Sequence, residues 1–231
     1  MIDTDLKKKI NILISLTLIV FCSCKKQHET PKNDVKAALE ERYFFDCKKK
    51  TINGTLFEAC IKRPGNFTVV NAKGETVYQN KENPFDFEFS DFNGDGYSDI
   101  KMNYVSNTPG LQELLLFDKE SNSFVEVQSF NKFPNSKRIQ ETEFYYSYRG
   151  AGCADYDWKS ELFKITESQI TVYGIIKGFS CLENETNGIY IYKIIDSEKK
   201  LLKYIKRDHG NWNKKWDFIE KYWTENLTKF E

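Results

Sequence analysis

Residues 91–99 read DFNGDGYSD, and four oxygen-bearing side chains recur at odd positions counted from the first: Asp91, Asn93, Asp95 and Asp99. Three carboxylates in one short turn repel one another unless a cation lies among them. Hard cations take oxygen ligands, and Ca2+ takes about six to eight. Oxygens at one, three and five converge if the chain wraps around an ion. Gly96, at six, allows the sharp turn, and Tyr97, at seven, offers its carbonyl. Asp99 supplies an oxygen from the ninth position, so the expected cofactor is Ca2+ held by Asp91, Asn93, Asp95, Tyr97 and Asp99.

Through position nine this is the spacing of an EF-hand loop. It then departs, because Met102 stands at twelve, where a bidentate Glu would sit, and strand-like runs flank the loop. The combination resembles the calcium loops of FG-GAP and related secreted β-repeat proteins, in which DxNxDGxxD joins two strands. That resemblance implies a bound Ca2+ whose work is to staple structure. The missing twelfth ligand points to the weaker, extracellular class of affinity, on the order of 10⁻⁴ M or somewhat tighter.

A second conspicuous stretch, YYSYRGAGCADYDW at 145–158, gathers Tyr145, Tyr146, Tyr148, Arg149 and Trp158 around glycines and Cys153. Tyr, Trp and Arg are the residues that protein interfaces favour as anchors. Tyr146, Tyr148 and Arg149 are therefore the candidate partner-binding residues, with alternating tyrosines lining a strand as the plainer reading. Asp155 and Asp157 are read as surface charge rather than as a glycosidase acid pair. FSDFNGDGYSDI, LLLFDKESNSFVEV and FYYSYRGAGCADYDWKSELFKI, followed by a later Cys, together resemble a group of periplasmic calcium-loop lipoproteins. The group includes an immunity protein of an antibacterial type IV secretion system that inhibits a peptidoglycan hydrolase. The resemblance covers about residues 80–205 and implies a protein partner of that kind.

The elements that must position these residues are strands. Asn53-Gly54 is the strongest short hairpin signal. A two-residue turn there pairs Ile52 with Thr55 and, counted outward, Cys47 with Cys60 and Lys49 with Glu58. The cysteines then meet in a non-hydrogen-bonded pair, whose close spacing accepts a disulfide. That leaves Cys153 for Cys181, with four free thiols as the alternative. Eleven short apolar runs between turn signals argue for a mainly β chain, an antiparallel meander of short strands. They group as 44–80, 85–128 and 142–196, compatible with propeller-like blades, with a β-sandwich as the alternative. A short helix is expected over 33–44, capped by Asn33 or Asp34. Near the end Trp212, Trp216, Ile219 and Trp223 recur at three- and four-residue steps, which reads as an amphipathic C-terminal helix with the aromatics in the core.

The N-terminus reads as a targeting segment. Lys7–Lys9 precede an apolar run of twelve residues at 10–21, too short to span a bilayer, which needs roughly 20. Ser23-Cys24 follows, then a polar stretch. This resembles a bacterial lipoprotein signal and implies cleavage before Cys24, lipidation there (palmitate among the acyl chains), and anchoring in the envelope. The alternative is an ordinary cleaved signal. The expected organisation is 1–23 signal, 24–33 tether and 34–231 a single calcium-stapled β domain. Export also makes disulfides permissible.

Lysine and arginine number 34 against 34 acidic residues. That balance gives no argument for a nucleic-acid partner, and only His28 and His209 occur, which disfavours multi-His metal sites or His-based catalysis. No nucleophile–base pair, phosphate-binding glycine loop or CxxC zinc motif is present. The expectation is a non-enzymatic lipoprotein of the outer membrane, periplasmic or surface-facing, touching the membrane through its lipid anchor only. It binds a protein, with inhibition of a peptidoglycan hydrolase as the sharper form. The alternative is a glycan-binding or adhesive module.

Overall fold

Asn53 and Gly54 both take the left-handed conformation, φ 47° and 74°, as a two-residue hairpin turn requires. They join β1 (Phe44–Ile52) to β2 (Thr55–Arg63), with Ile52 opposite Thr55 and Cys47 opposite Cys60. The register expected from the turn is the one observed. A disulfide closes Cys47 on Cys60 with Cα atoms 4.1 Å apart. Lys49 meets Glu58 at 3.2 Å.

The computed structural model describes residues 44–181, 187–206 and 214–231, all of them within one compact unit, Tyr43–Glu231. The expected signal segment with Cys24, the tether, the helix starting at Asn33, and Trp212 fall outside the described residues. β3 (Phe67–Asn71) and β4 (Thr76–Asn80) complete the first four-stranded sheet in simple sequence order. β5 (Asp86–Ser90), β6 (Asp99–Asn103), β7 (Gln112–Asp118) and β8 (Ser123–Glu126) form the second in the same way.

The third sheet holds seven strands. β9 (Lys137–Arg138) and β10 (Phe144–Tyr146) lie at one end, and β11 (Arg149–Gly152) pairs with β12 (Asp157–Thr166). β13 (Gln169–Phe179), β14 (Gly188–Ile195) and β15 (Glu198–Lys206) follow in order. Every pairing is antiparallel. α1 (Lys215–Asn226) is the single α-helix among the described residues. The chain is thus mainly β, built of antiparallel meanders, with a C-terminal helix and no closed barrel among the described residues. The first two sheets match the expected groups of four. The third runs past the expected limit, because the lysine-rich β15 has no apolar alternation that would announce a strand.

Three cores lie between these layers. Phe57, Ile61 and Phe67 of the first sheet pack on Phe87, Ile100, Met102, Leu115 and Phe117 of the second. The other face of the second sheet, through Leu114, meets Phe163 and Tyr145 of the third. β7 is covered on both faces, which is why its LLLF run, 114–117, is continuously apolar rather than alternating. The third core seats α1, where Ile219 and Trp223 bury against Trp158, Leu162 and Ile176. The indole N–H of Trp223 donates to the Ser160 hydroxyl at 2.8 Å inside this layer. β13 makes room with glycine: a Cβ at Gly178 would lie 2.3 Å from the Trp158 ring, and one at Gly174 would meet Phe230 and Trp223.

Candidate functional site

The acidic loop connects β5 to β6 and is anchored from both sides. Phe92 stacks on Tyr145, ring centroids 5.2 Å apart, and so joins the core between the second and third sheets. Tyr97 turns the opposite way and packs on Phe117 at 5.6 Å, against the core between the first and second. Tyr97, expected from the sequence to offer its carbonyl, is therefore also an anchor through its ring. Gly94 and Gly96 take φ 74° and 90°. A Cβ at Gly96 would meet nothing, so its requirement is conformational. At Gly94 the guanidinium of Arg138, from β9, occupies the space a Cβ would need. A protein cation thus lies against the acidic turn.

Inside the loop Asp91 organises the turn. One of its carboxylate oxygens accepts from the main-chain N–H of Gly94 (2.7 Å) and Asp95 (3.1 Å), and the other from Gly96 (3.0 Å). Asn93 and Asp95 turn toward each other, with 2.9 Å between the Asn93 amide nitrogen and the Asp95 carboxylate. Asp91 and Asp95 are exposed. Carboxylate and amide oxygens thus share one turn whose backbone is already wrapped, with both Asp91 oxygens engaged by main-chain amides.

Asp99 behaves differently. It is fully buried. One oxygen accepts from the N–H of Phe117 on β7 at 2.9 Å, and the other from Phe92 (2.9 Å) and Asn93 (3.3 Å). Burial pushes its carboxyl up to about 7, against the downward pull of those three amides, and Asp95 adds to the rise. Its visible work is to tie the loop to β7. The groups of three ligating side chains that do converge within 4.8 Å among the described residues lie around the two disulfides, not in this loop.

The second candidate region does not place its residues as expected. Tyr146 and Tyr148 are 6% and 4% exposed and belong to the core under α1. They cannot serve as protruding anchors, because the helix covers the face of the sheet from which they project. Tyr146 donates to Glu220 at 3.2 Å and Tyr148 to Asp155 at 2.6 Å. Burial, then these carboxylates, push both phenols upward. Arg149 is exposed at the start of β11.

What protrudes is the turn beyond Arg149. Gly152, Cys153, Ala154 and Asp155 all have positive φ (133°, 50°, 49° and 73°), and all are exposed. Three successive non-glycine residues in that region are costly unless the surroundings hold them. Here Cys153 is bridged to Cys181, and the Tyr148 phenol and the Lys215 ammonium both grip Asp155. Lys215 also donates to the Asp155 carbonyl at 2.9 Å. Sequence reasoning missed Lys215, and it placed Trp216 in the core. Trp216 is instead 49% exposed, its ring against Tyr148 at the edge of a cavity of about 570 Å³. The helical period of the tryptophans carried no sign that the stripe runs off the buried face there.

No family model matches the chain, and no curated protein matches it. Among solved structures, it is similar to that of a Xanthomonas type IV secretion system related protein, at 14% identity and a TM-score of 0.42. The likeness covers 68% of this chain and 85% of that one. Among the described residues no helix is long and apolar enough to cross a membrane.

Proposed function

We propose that this chain is a lipid-anchored envelope protein that works as a binding module, not a catalyst, and that it inhibits a peptidoglycan hydrolase. The observation that carries the reading is the exposed turn at 152–155. Its backbone is held in a conformation that a free peptide rarely adopts, by a disulfide on one side and by Tyr148 and Lys215 on the other. A loop fixed in shape before binding loses little entropy on association, which is what a tight inhibitor of an enzyme cleft needs. Arg149, exposed beside it, supplies a charged donor for the partner.

Calcium belongs to this reading as a structural element. Asp91, Asn93, Asp95 and the Tyr97 carbonyl would hold it, with Asp99 keeping the loop closed onto β7. The ion would offset the repulsion between carboxylates and stiffen the link between the second and third sheets.

The test is inhibition. The chain from residue 24 onward, with Cys24→Ser to prevent lipidation, is assayed against a panel of cell-wall hydrolases. Inhibition that is lost when residues 152–155 are replaced by a flexible Gly-Ser turn supports the proposal; no inhibition of any hydrolase in the panel overturns it. Glycan binding is the second reading, and the half-exposed Trp216 beside its cavity favours it. Retention on a polysaccharide array, weakened by Trp216→Ala, would select that reading instead.

A further inference from the structure

β15 ends the order of the third sheet, and among the described residues nothing pairs with its outer edge. Eight of its nine side chains are exposed, all but Ile205. It carries Lys199, Lys200, Lys203 and Lys206 against one Glu198, in a chain whose net charge is zero. Lys200 lies opposite Lys193 on β14, a like-charged cross-strand pair that costs stability. Lys177 adds to the same field: burial first, then Lys199 and Lys159, hold its ammonium below the usual value.

Lysines on an edge strand commonly protect it from pairing with other chains, and Leu202, the extra residue where the register with β14 shifts, adds a bulge. Protection alone does not call for the rest of the strand. Leu201, Leu202 and Tyr204 stand 50%, 40% and 41% exposed among the lysines. A second copy of this edge would set lysine against lysine. A segment of opposite charge would meet ammonium groups, apolar side chains and a row of main-chain donors and acceptors that no strand pairs among the described residues.

We propose that the outer edge of β15 takes an extended acidic segment of a partner protein as an added strand. Main-chain hydrogen bonds would supply affinity, and carboxylates on one face of the segment, against the lysine pair on the same face of β15 (Lys200 with Lys203, or Lys199 with Lys206), would supply selectivity. The proposal rests on the reading of the chain as a protein-binding module.

Ten-residue peptides test it directly on the chain from residue 24 onward with Cys24→Ser: one alternating Glu and Val, one alternating Lys and Val, and the Glu-Val peptide N-methylated at every second residue. Amide hydrogen exchange is read across residues 198–206. The expected result is slowed exchange with the Glu-Val peptide alone, and binding at least tenfold weaker in a Lys199→Glu/Lys203→Glu/Lys206→Glu variant of unchanged melting temperature. Equal binding of the N-methylated peptide would reduce the effect to plain charge attraction and overturn strand addition. So would unprotected β15 amides, self-association through this edge, or exchange already slow without peptide because residues 25–43 cover it. Binding to anionic lipid vesicles in place of the peptide would also overturn it. Hydrolase inhibition separates this from the function proposed above. A triple variant that inhibits as well as the parent, with no peptide protection, sinks the edge alone. Peptide protection in a protein that inhibits no hydrolase sinks the inhibitor reading alone.

Discussion

The carboxylate of Asp99, at the start of β6, accepts the main-chain N–H of Phe117 on β7 at 2.9 Å while fully buried. Its other oxygen takes the amides of Phe92 and Asn93. One side chain therefore closes the acidic loop and fastens it to the middle of the second sheet.

Asp99→Ala should destabilise the protein by about 3–5 kcal/mol, because it leaves three amides without their acceptor. Asp99→Asn, which keeps one acceptor oxygen, should cost roughly half as much. Denaturant melts with calcium absent isolate this effect. Variants as stable as the parent would mean that the amides find other acceptors.

Calcium should raise the melting temperature, and a chelator should reverse the shift. Asp95→Ala should abolish the response with little change in the calcium-free melt, since Asp95 is exposed. An identical melting temperature with calcium and with chelator would count against the ion.

Replacing Cys153 and Cys181 together by Ala should weaken hydrolase inhibition more than it lowers stability. The bridge spans a sequence separation of 28, and on the chain-entropy estimate its loss costs about 3.6 kcal/mol. A peptide map should recover 47 linked to 60 and 153 linked to 181. Inhibition intact in the double variant would take the rigid turn out of the binding surface.

Trp223→Ala should cost about 3–5 kcal/mol and undock α1, since the ring is fully buried against the third sheet. Ser160→Ala removes only the acceptor for the indole N–H and should cost about 1–2 kcal/mol. Equal, small effects would mean that the helix is a dispensable appendage.

Alkali should unfold the protein early. Burial pushes the Tyr145 phenol up to about 12, and also raises Tyr78, Tyr104, Tyr146 and Tyr148. The unfolded chain ionises near the ordinary value of 10 while the folded chain stays protonated. The phenols' contribution is thus complete below pH 10 and lost as pH rises toward 12. Absorbance at 295 nm should show these phenols ionising together with loss of the fold; ionisation of all of them with a midpoint near pH 10 and circular dichroism unchanged would contradict the burial.

Local rules made part of this structure legible beforehand. The Asn53-Gly54 turn dictates the register that brings Cys47 to Cys60, because a two-residue hairpin leaves no freedom in counting outward. The glycines and Asx residues of the 91–99 loop announce a wrapped turn for the same reason, since their conformational preferences act within a few residues. Alternation and turn spacing then grouped the first eight strands.

The direction in which a side chain faces depends on which layers stack, and no nearest-neighbour pattern records that. Tyr146 and Tyr148 have the types and spacing of interface anchors, yet α1, some seventy residues away in the chain, covers them. Asp99 shares its spacing with Asp91 and Asp95 but lies against the amide of Phe117, a β7 residue that only sheet pairing brings near. The geometry of the Asn53-Gly54 hairpin and of the 91–99 turn is short-range and was set by the sequence alone. The burial of those tyrosines, the inward turn of Asp99 and the place of β15 at the end of its sheet are long-range, decided by packing between segments that meet only in the folded chain.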